Sequence, residues 1–543
     1  MRSLRSLISW RGPRKRKILL PSLDGNRMSR NGALALGADH LTGPVGTADG
    51  LAVAPVLIRR QTRLGIINIW LIFMVTLGAV IAVADGLTRA PNPEWELPSQ
   101  GPLEYEPYYA AFLLAAVTLP LMLAYAKRAR ASITEGLFLW FAFCTAAYMK
   151  DFSYLRWPGA PLFVTDVILV VLLLSIYLLS RPHHSRSPLE LNIFLLLFVA
   201  AGLLSAARGF WEHRDTILVL RDSALIAYAL FLLVGYHLFR SWLSIKRVAV
   251  WFLLGTSLSA LNGLAWFVVA PEQRRFIAPG IYILISLVAT VLATVNGRLR
   301  PRAGWVFVGL LCFGLMLANA RSLFVTLGIM LLIGLLYGRT ADGQGRLGRT
   351  PATLLMPTIL IILASSLFLH TQSGRDFTQR STEELDSGVL HSGEDPNWQF
   401  RVAAWKEAWR RFEEYPLAGE GFGIPFVFGI WDNDPRPHNT FLTVLYKMGL
   451  IGFIPLLAFL CYFFWLASRA VYRNRKNHRT LFLLIAVMGQ MAFCVYGMAN
   501  FVLESPFLAS LFWASMGVGL RMIRILDVEQ SLRWNFSVGT RHP

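Results

Sequence analysis

Apolar residues run along most of this chain in blocks of about twenty, parted by short polar loops, and one long polar stretch interrupts the rhythm. The blocks fall near 64–84, 108–126, 136–149, 161–180, 189–207, 216–239, 247–270, 276–296, 303–319, 321–337, 353–370, 440–467, 480–502 and 506–526. Most reach the roughly 17–25 residues that a helix needs to cross a bilayer. The pattern predicts an all-α polytopic membrane protein of about 14 transmembrane helices. The count drops towards 12 if the short third block is discounted and the ninth and tenth, which touch at Asn319-Ala320-Arg321, are merged. Residues 1–63 form a basic tail, 64–370 the first eleven helices, 371–439 a long loop, 440–526 the last three helices and 527–543 a second tail.

The long loop carries a helix of its own. Asp395 before Pro396 supplies an N-cap and a first-turn proline, so a helix starts there and ends before Pro416. Trp398, Val402, Trp405, Trp409 and Phe412 recur at steps of four and three, which puts them on one apolar face. Arg401 lies beside that stripe, while Glu407 and Arg411 point away from it. Such a helix suits either a membrane surface or docking on its own protein.

Composition narrows the class. A chain 55% hydrophobic and 15% charged, with mean hydropathy +0.50, is no soluble domain. Its net charge of +20 would suggest nucleic acid if it were clustered on one face. Instead most Lys and Arg sit in the first tail, beyond residue 520 and in alternate loops, near 127–135, 181–188, 240–247, 297–302, 338–351 and 468–479. The loop with Asp85, Glu94, Glu96, Glu104 and Glu106 holds a single Arg. That asymmetry places both termini in the cytoplasm and the 371–439 loop outside. Cys144, Cys312, Cys461 and Cys494 all lie in apolar blocks without metal-ligand spacing and read as buried hydrophobes.

Charged side chains inside the blocks need a partner or a task, because each costs about 2.5–3.5 kcal/mol in hydrocarbon. Asp166, Arg221, Asp222, Arg321 and Glu504 all fall near the outer face on this topology. Asp166 and Arg221 suit a mutual ion pair between helices, and Arg321 suits snorkelling at a tight turn. Taken together they suggest an electropositive cavity open to the outer leaflet, fitted to an anion carried by a lipid.

At the mouth of the twelfth block stands His438, followed by Asn439. Nearby arginines lower an imidazole pKa and leave the neutral base available near pH 7, and Asn439 is placed to orient the ring. Read alone, such a His is more often structural. The glycines of Gly419-Glu420-Gly421-Phe422-Gly423 permit tight turns, but no strand precedes them, so a phosphate loop is weakly supported. Asp432, Asp434 and His438 fit a solvated turn better than a metal site.

Several of these pieces occur in an order that resembles the O-antigen ligase and polysaccharide polymerase superfamily of bacterial envelopes. They are Arg321-Ser322 opening a block, Arg401-x-x-x-Trp405, Pro416-Leu-x-Gly-x-Gly-x-Gly423 and His438-Asn439-Thr-Phe-Leu leading to Lys447-Met448-Gly449-Leu-Ile-Gly452. Leu162-Phe-Val-Thr-Asp166 and Leu220-Arg221-Asp222 look like earlier helices of that family. Relatives often carry an acidic residue where Lys447 or Met448 stands. The resemblance implies a membrane glycosyltransferase of the C-type fold in the bacterial inner membrane. It would be metal-independent, without cofactor, inverting, and active at the periplasmic face. The donor would be a glycan on undecaprenyl diphosphate, the acceptor a glycan or lipid-linked sugar. Membrane lipid surrounds the protein, other polysaccharide-assembly proteins are candidate partners, and nucleic acid is not one. His438 would be the general base. Arg321 and Arg401 would hold the diphosphate, with Arg221, Asp166 and Asn439 also contacting substrate.

Ligase and polymerase share these motifs and stay open. The competing class is a lipid-linked-sugar flippase or other transporter, which needs polar residues along a whole path. Here they gather at one side. The topology predicts that a cysteine introduced at Ser387 reacts with an impermeant reagent in intact spheroplasts; absence of labelling in the intact cell, with labelling after lysis, would invert it.

Overall fold

The structure, a computed structural model, describes residues 72–87, 109–155, 162–179, 189–269, 280–318, 321–340, 396–428, 436–475 and 477–539. The described residues are helical and hold no strand. In chain order the helices are α1 (Ile72–Leu87), α2 (Tyr109–Arg128), α3 (Ile133–Tyr148), α4 (Lys150–Ser153), α5 (Val164–Leu179), α6 (Leu189–Trp211) and α7 (Thr216–Asp222). Next come α8 (Ala224–Ala227), α9 (Phe231–Leu238), α10 (Trp242–Val269), α11 (Ile281–Val295), α12 (Pro301–Ala318) and α13 (Arg321–Thr340). The last four are α14 (Pro396–Glu414), α15 (Thr440–Arg473), α16 (Thr480–Gly497) and α17 (Pro506–Gly539). Eight helical stretches are long and apolar enough to cross a membrane, counting Thr216–Leu238 as one, and four shorter apolar helices accompany them. The expected eleventh helix, 353–370, and the tail 1–63 lie outside the described residues.

Helix ends follow local chemistry. Ser132 accepts from the Glu135 amide at the start of α3, and Asp215 accepts from Ile217 and Leu218 at the start of α7. The sixth apolar block is not one regular helix: it passes from α7 through α8 and a 3₁₀ turn, Tyr228–Leu230, into α9. The final helix outruns its apolar block, which was expected to end near 526, and continues to Gly539. Its polar extension is held sideways, since Glu529 takes hydrogen bonds from Trp242 and Asn477 and pairs with Arg479.

Packing in hydrocarbon relies on close approach of helices rather than on expulsion of water. At the α9–α17 crossing Gly235 faces the Ala514 carbonyl, and Gly517 faces the Leu232 carbonyl, with no room for a Cβ at either. An aromatic core of Phe138, Phe141, Phe152, Phe231 and Phe239 fills the space among α3, α4 and α9. Polar contacts then collect at the two ends. At one, Arg247 bonds Glu135 and the Ala129 carbonyl, and Arg298 reaches the His478 carbonyl. These loops are the ones expected to face the cytoplasm. The ends of α6 and α16, with the starts of α5, α7, α13, α15 and α17, belong to the opposite side.

One span is broken there. Gly449 leaves helical geometry, at φ 60° and ψ −163°, so α15 is two helical segments joined at a kink. The freed groups are taken up by the glycine-rich segment 416–423. Glu420 and Gly421 donate to the Tyr446 and Lys447 carbonyls at 2.8 and 3.0 Å, and the Leu450 and Ile451 amides donate to Pro416 and Leu417 at 2.9 and 3.0 Å. Backbone polar groups at membrane depth must find such partners. Contact is close enough that a Cβ on Gly419 would strike Lys447, and one on Gly449 would strike the Leu417 carbonyl. Gly449→Ala should therefore cost about 1–3 kcal/mol, whereas Gly309→Ala, in a helix with open space beside it, should be near neutral. Thermal unfolding of the solubilised protein, scored as the difference between these variants, checks the claim; equal midpoints would refute it.

Candidate functional site

The glycine segment is stitched to its other neighbours as thoroughly as to α15. Arg208 donates to the Gly419 carbonyl, and Arg214 to the carbonyls of Glu420 and Phe422. The Phe422 amide reaches Ser205, and the Gly423 amide reaches the Asp222 carboxylate at 2.9 Å. With the amides of residues 419–423 all committed to protein acceptors, none is left for a phosphate. This segment is a structural strap, and its glycines serve close approach.

Helix α14 starts at Pro396 and stops at Glu414, the bounds its flanking signals predict. Its docked face lies beside the Trp stripe. Ala404 and Ala408 are buried against Phe426, Phe428 and Tyr446, with Phe400 beside them. Trp398 and Trp409 remain 41% and 48% exposed. Arg411, expected to point outward, turns in: it bonds Glu420 at 3.2 Å, the Pro425 and Val427 carbonyls at 3.1 Å, and Glu407 at 2.8 Å. Two alanines let the helix lie close, and the long Arg411 stem reaches carbonyls that would otherwise stand unpaired. Trp405 keeps its place, donating its indole N–H to the Pro437 carbonyl at 2.8 Å. It thereby pins α14 to the residue before His438, one helical turn from Arg401.

The turn that presents His438 is over-determined. His438 itself sits in the left-handed region at φ 50°, uncommon for a residue with a Cβ. Asn439 caps α15, its side-chain oxygen accepting from Phe441 and Leu442. Its oxygen is therefore spent on the cap rather than on the imidazole, a correction to the sequence expectation. Thr440 ties the turn to residues 500–502: its hydroxyl donates to the Asn500 carbonyl and accepts from the Val502 amide. The His438 ring meets Phe400 of α14 and Phe501 edge-on, with centroids at 5.8 and 5.0 Å. Its Nδ1 is buried without a hydrogen-bond partner among the described residues. Aromatic packing, not a carboxylate on Nδ1, fixes the ring. Burial, reinforced by Arg401 and Arg436, pushes its pKa down to about 4.

Next to this turn lies a group of charged side chains. Arg436 donates to the Glu504 carbonyl at 3.3 Å, lies over the Phe501 ring, and is within electrostatic reach of Glu504, Asp222, Tyr154 and Tyr446. Arg221 faces Arg436, Asp222, Glu504 and Tyr446. Asp166 accepts from Tyr228 at 2.8 Å and from the Phe163 amide at 2.9 Å. Lys447, only 3% exposed, forms a buried pair with Asp222 at 2.7 Å and touches the Ile424 carbonyl. Ser322 receives a hydrogen bond from Asn500, which brings the start of α13, and so the backbone of Arg321, to the loop that wraps the His438 turn. Sequence reasoning missed Arg436, although an Arg two residues before the singled-out His was a readable signal. It also left Lys447 unassigned. Asp432 and Asp434 lie outside the described residues.

Residues 305–457 match a protein family described as O-antigen ligase. The matched stretch runs from α12 through the strap and His438 into the middle of α15. No curated protein matches the chain.

The Asp222–Lys447 pair lends itself to a double-mutant cycle. Lys447→Met or Asp222→Leu alone strands a buried charge and should cost about 3–5 kcal/mol. The double variant should cost clearly less than the sum. Additive losses in thermal or denaturant unfolding would show that the two side chains do not depend on each other.

Proposed function

We propose, from the match of residues 305–457 to a family described as O-antigen ligase, that this chain is a multi-pass bacterial membrane glycosyltransferase of ligase or polymerase type. The donor is a glycan on undecaprenyl diphosphate, and the site faces the periplasm from the inner membrane. The observation that carries the reading is His438: a neutral imidazole, held in a strained turn between two aromatic rings with arginines on hand.

His438 takes the proton from an acceptor hydroxyl as that oxygen bonds to the anomeric carbon. The bond from that carbon to the phosphate oxygen breaks, and the lipid diphosphate leaves with the electron pair. Arg401, whose charge acts on His438, and Arg321 stabilise the departing diphosphate. A single displacement inverts the anomeric centre. The phosphate leaving group needs little protonation, so one base and two guanidinium groups suffice. Asp166 and Arg221 line the substrate cavity, and Asn439 serves it by fixing the turn. Transport is the weaker reading, because the charged groups of the described spans on the His438 side form one cluster rather than a path.

His438→Ala should insert and bind lipid-linked donor, yet lose about 10²–10⁴ in transfer rate. Arg321→Ala and Arg401→Ala should weaken donor binding and turnover together, with Lys a partial rescue. In the wild type the base is lost only on protonation, so the rate should stay level through neutral pH and fall as pH drops through about 4, well below the ordinary histidine value of about 6.5. Transfer by purified protein from defined donor to acceptor tests all three. Near-normal transfer by His438→Ala would dismiss the assigned base, and an acid limb near about 6.5 would dismiss its lowered pKa.

A further inference from the structure

Glu504 lies in the loop between α16 and α17 that wraps the His438 turn. Its side chain is 8% exposed, and carboxylate oxygen Oε2 is buried with no hydrogen-bond partner among the described residues. Leaving such an acceptor unpaired costs about 1–3 kcal/mol, more for a charged group. Polar groups that persist in that state ask for an external partner.

Its surroundings say which kind. Glu504 faces the cations Arg436, Lys447 and Arg221 and the acid Asp222. Lys447 is already spent on Asp222. Asp166 and its donor Tyr228 stand nearby, since Arg436 acts on Tyr228 as well. Acids so nearly balance bases here that a diphosphate gains little and is repelled by two or three carboxylates. A neutral polyol is suited instead, because each hydroxyl both donates and accepts. An aromatic wall completes the setting: the Tyr154 ring packs edge-on to Phe163 at 5.0 Å and to Phe507 at 6.0 Å, and Tyr154 also faces Arg436. Carboxylate oxygens beside aromatic rings match the polar rim and apolar faces of a sugar. Arg436 links this group to the proposed base, being the cation shared by His438 and Glu504.

We infer that Glu504 is the residue that recognises the acceptor sugar, its free carboxylate oxygen accepting a ring hydroxyl of a neutral hexose while Arg436, bonded to the Glu504 backbone carbonyl, keeps the residue beside His438. This rests on the glycosyl-transfer reading above and divides its site in two. Diphosphate belongs with Arg401 and Arg321, and the acceptor with Glu504, Tyr154 and the Asp166–Tyr228 pair. Glu504 performs no proton transfer; it selects and positions.

The test uses the full-length protein in detergent, native lipid-diphosphate glycan extracted from the producing cells, and a panel of methyl hexosides with their monodeoxy analogues as acceptors. Release of free glycan by transfer to water is measured in parallel. Wild-type protein should lose about 10–100-fold in kcat/KM on one deoxy analogue, the loss of a hydrogen bond to a charged group. Glu504→Gln should raise KM for the parent hexoside by a similar factor, spare kcat and transfer to water, and level the discrimination at that one position. Glu504→Asp keeps the charge beside Arg436 but withdraws the oxygen, and gives the same readout should the Gln variant fold poorly. Unchanged deoxy discrimination in the variants, or weakened donor binding with acceptor KM intact, overturns the assignment while leaving glycosyl transfer standing. A folded wild type that releases glycan to neither hexoside nor water overturns the transfer reading itself, and this inference with it.

Discussion

Where α15 breaks at Gly449, a spanning helix gives up its own hydrogen bonds, and the strap 416–423 replaces them one for one. Much of the described architecture around the site follows from that exchange. A strap that donates to the Tyr446 and Lys447 carbonyls must lie inside the bundle, so its own carbonyls need donors, and Arg208 and Arg214 supply them from the α6 end. Its last amide needs an acceptor, which fixes Asp222, and the buried carboxylate in turn needs Lys447. Each group is retained because removing its partner leaves a polar atom stranded in a medium that cannot solvate it.

The same lock sets the approach of α14. Arg411 reaches into the strap for Glu420 and for carbonyls beyond it, so the helix cannot drift from the broken span. Trp405 then fastens the far side of the helix to Pro437, and Thr440 fastens the next turn to residues 500–502. His438 is caught between those two fastenings in a backbone conformation it would not choose by itself. Strain of this kind persists only where the surroundings over-determine it. In the proposed chemistry it holds a neutral base at the edge of a span without a carboxylate on Nδ1 to orient it.

Charge near this turn is sorted rather than simply positive. Arg401 acts on His438 from α14, whereas Arg221, Arg436 and Lys447 are interleaved with Asp222 and Glu504. A cavity read as electropositive from a count of arginines therefore has a balanced part. Net charge along a sequence says little about local potential, because close partners cancel within a few ångströms.

The sequence by itself determined the all-helical membrane class, the bounds of α14 and the place of His438 at the mouth of a span. Those follow from local signals: apolar blocks of bilayer length, a proline after an aspartate, a histidine at a span's mouth. What it could not decide were partnerships between residues on different elements. Lys447 with Asp222, Arg411 with Glu420, Tyr228 with Asp166 and the strap with the break in α15 are all set by how helices stack. Which face of α14 docks on the protein was decided in the same way. Periodicity finds the apolar face of a lone helix, but Ala404 and Ala408 offered the closer fit once α15 and Phe426 stood opposite, and tertiary packing chose them.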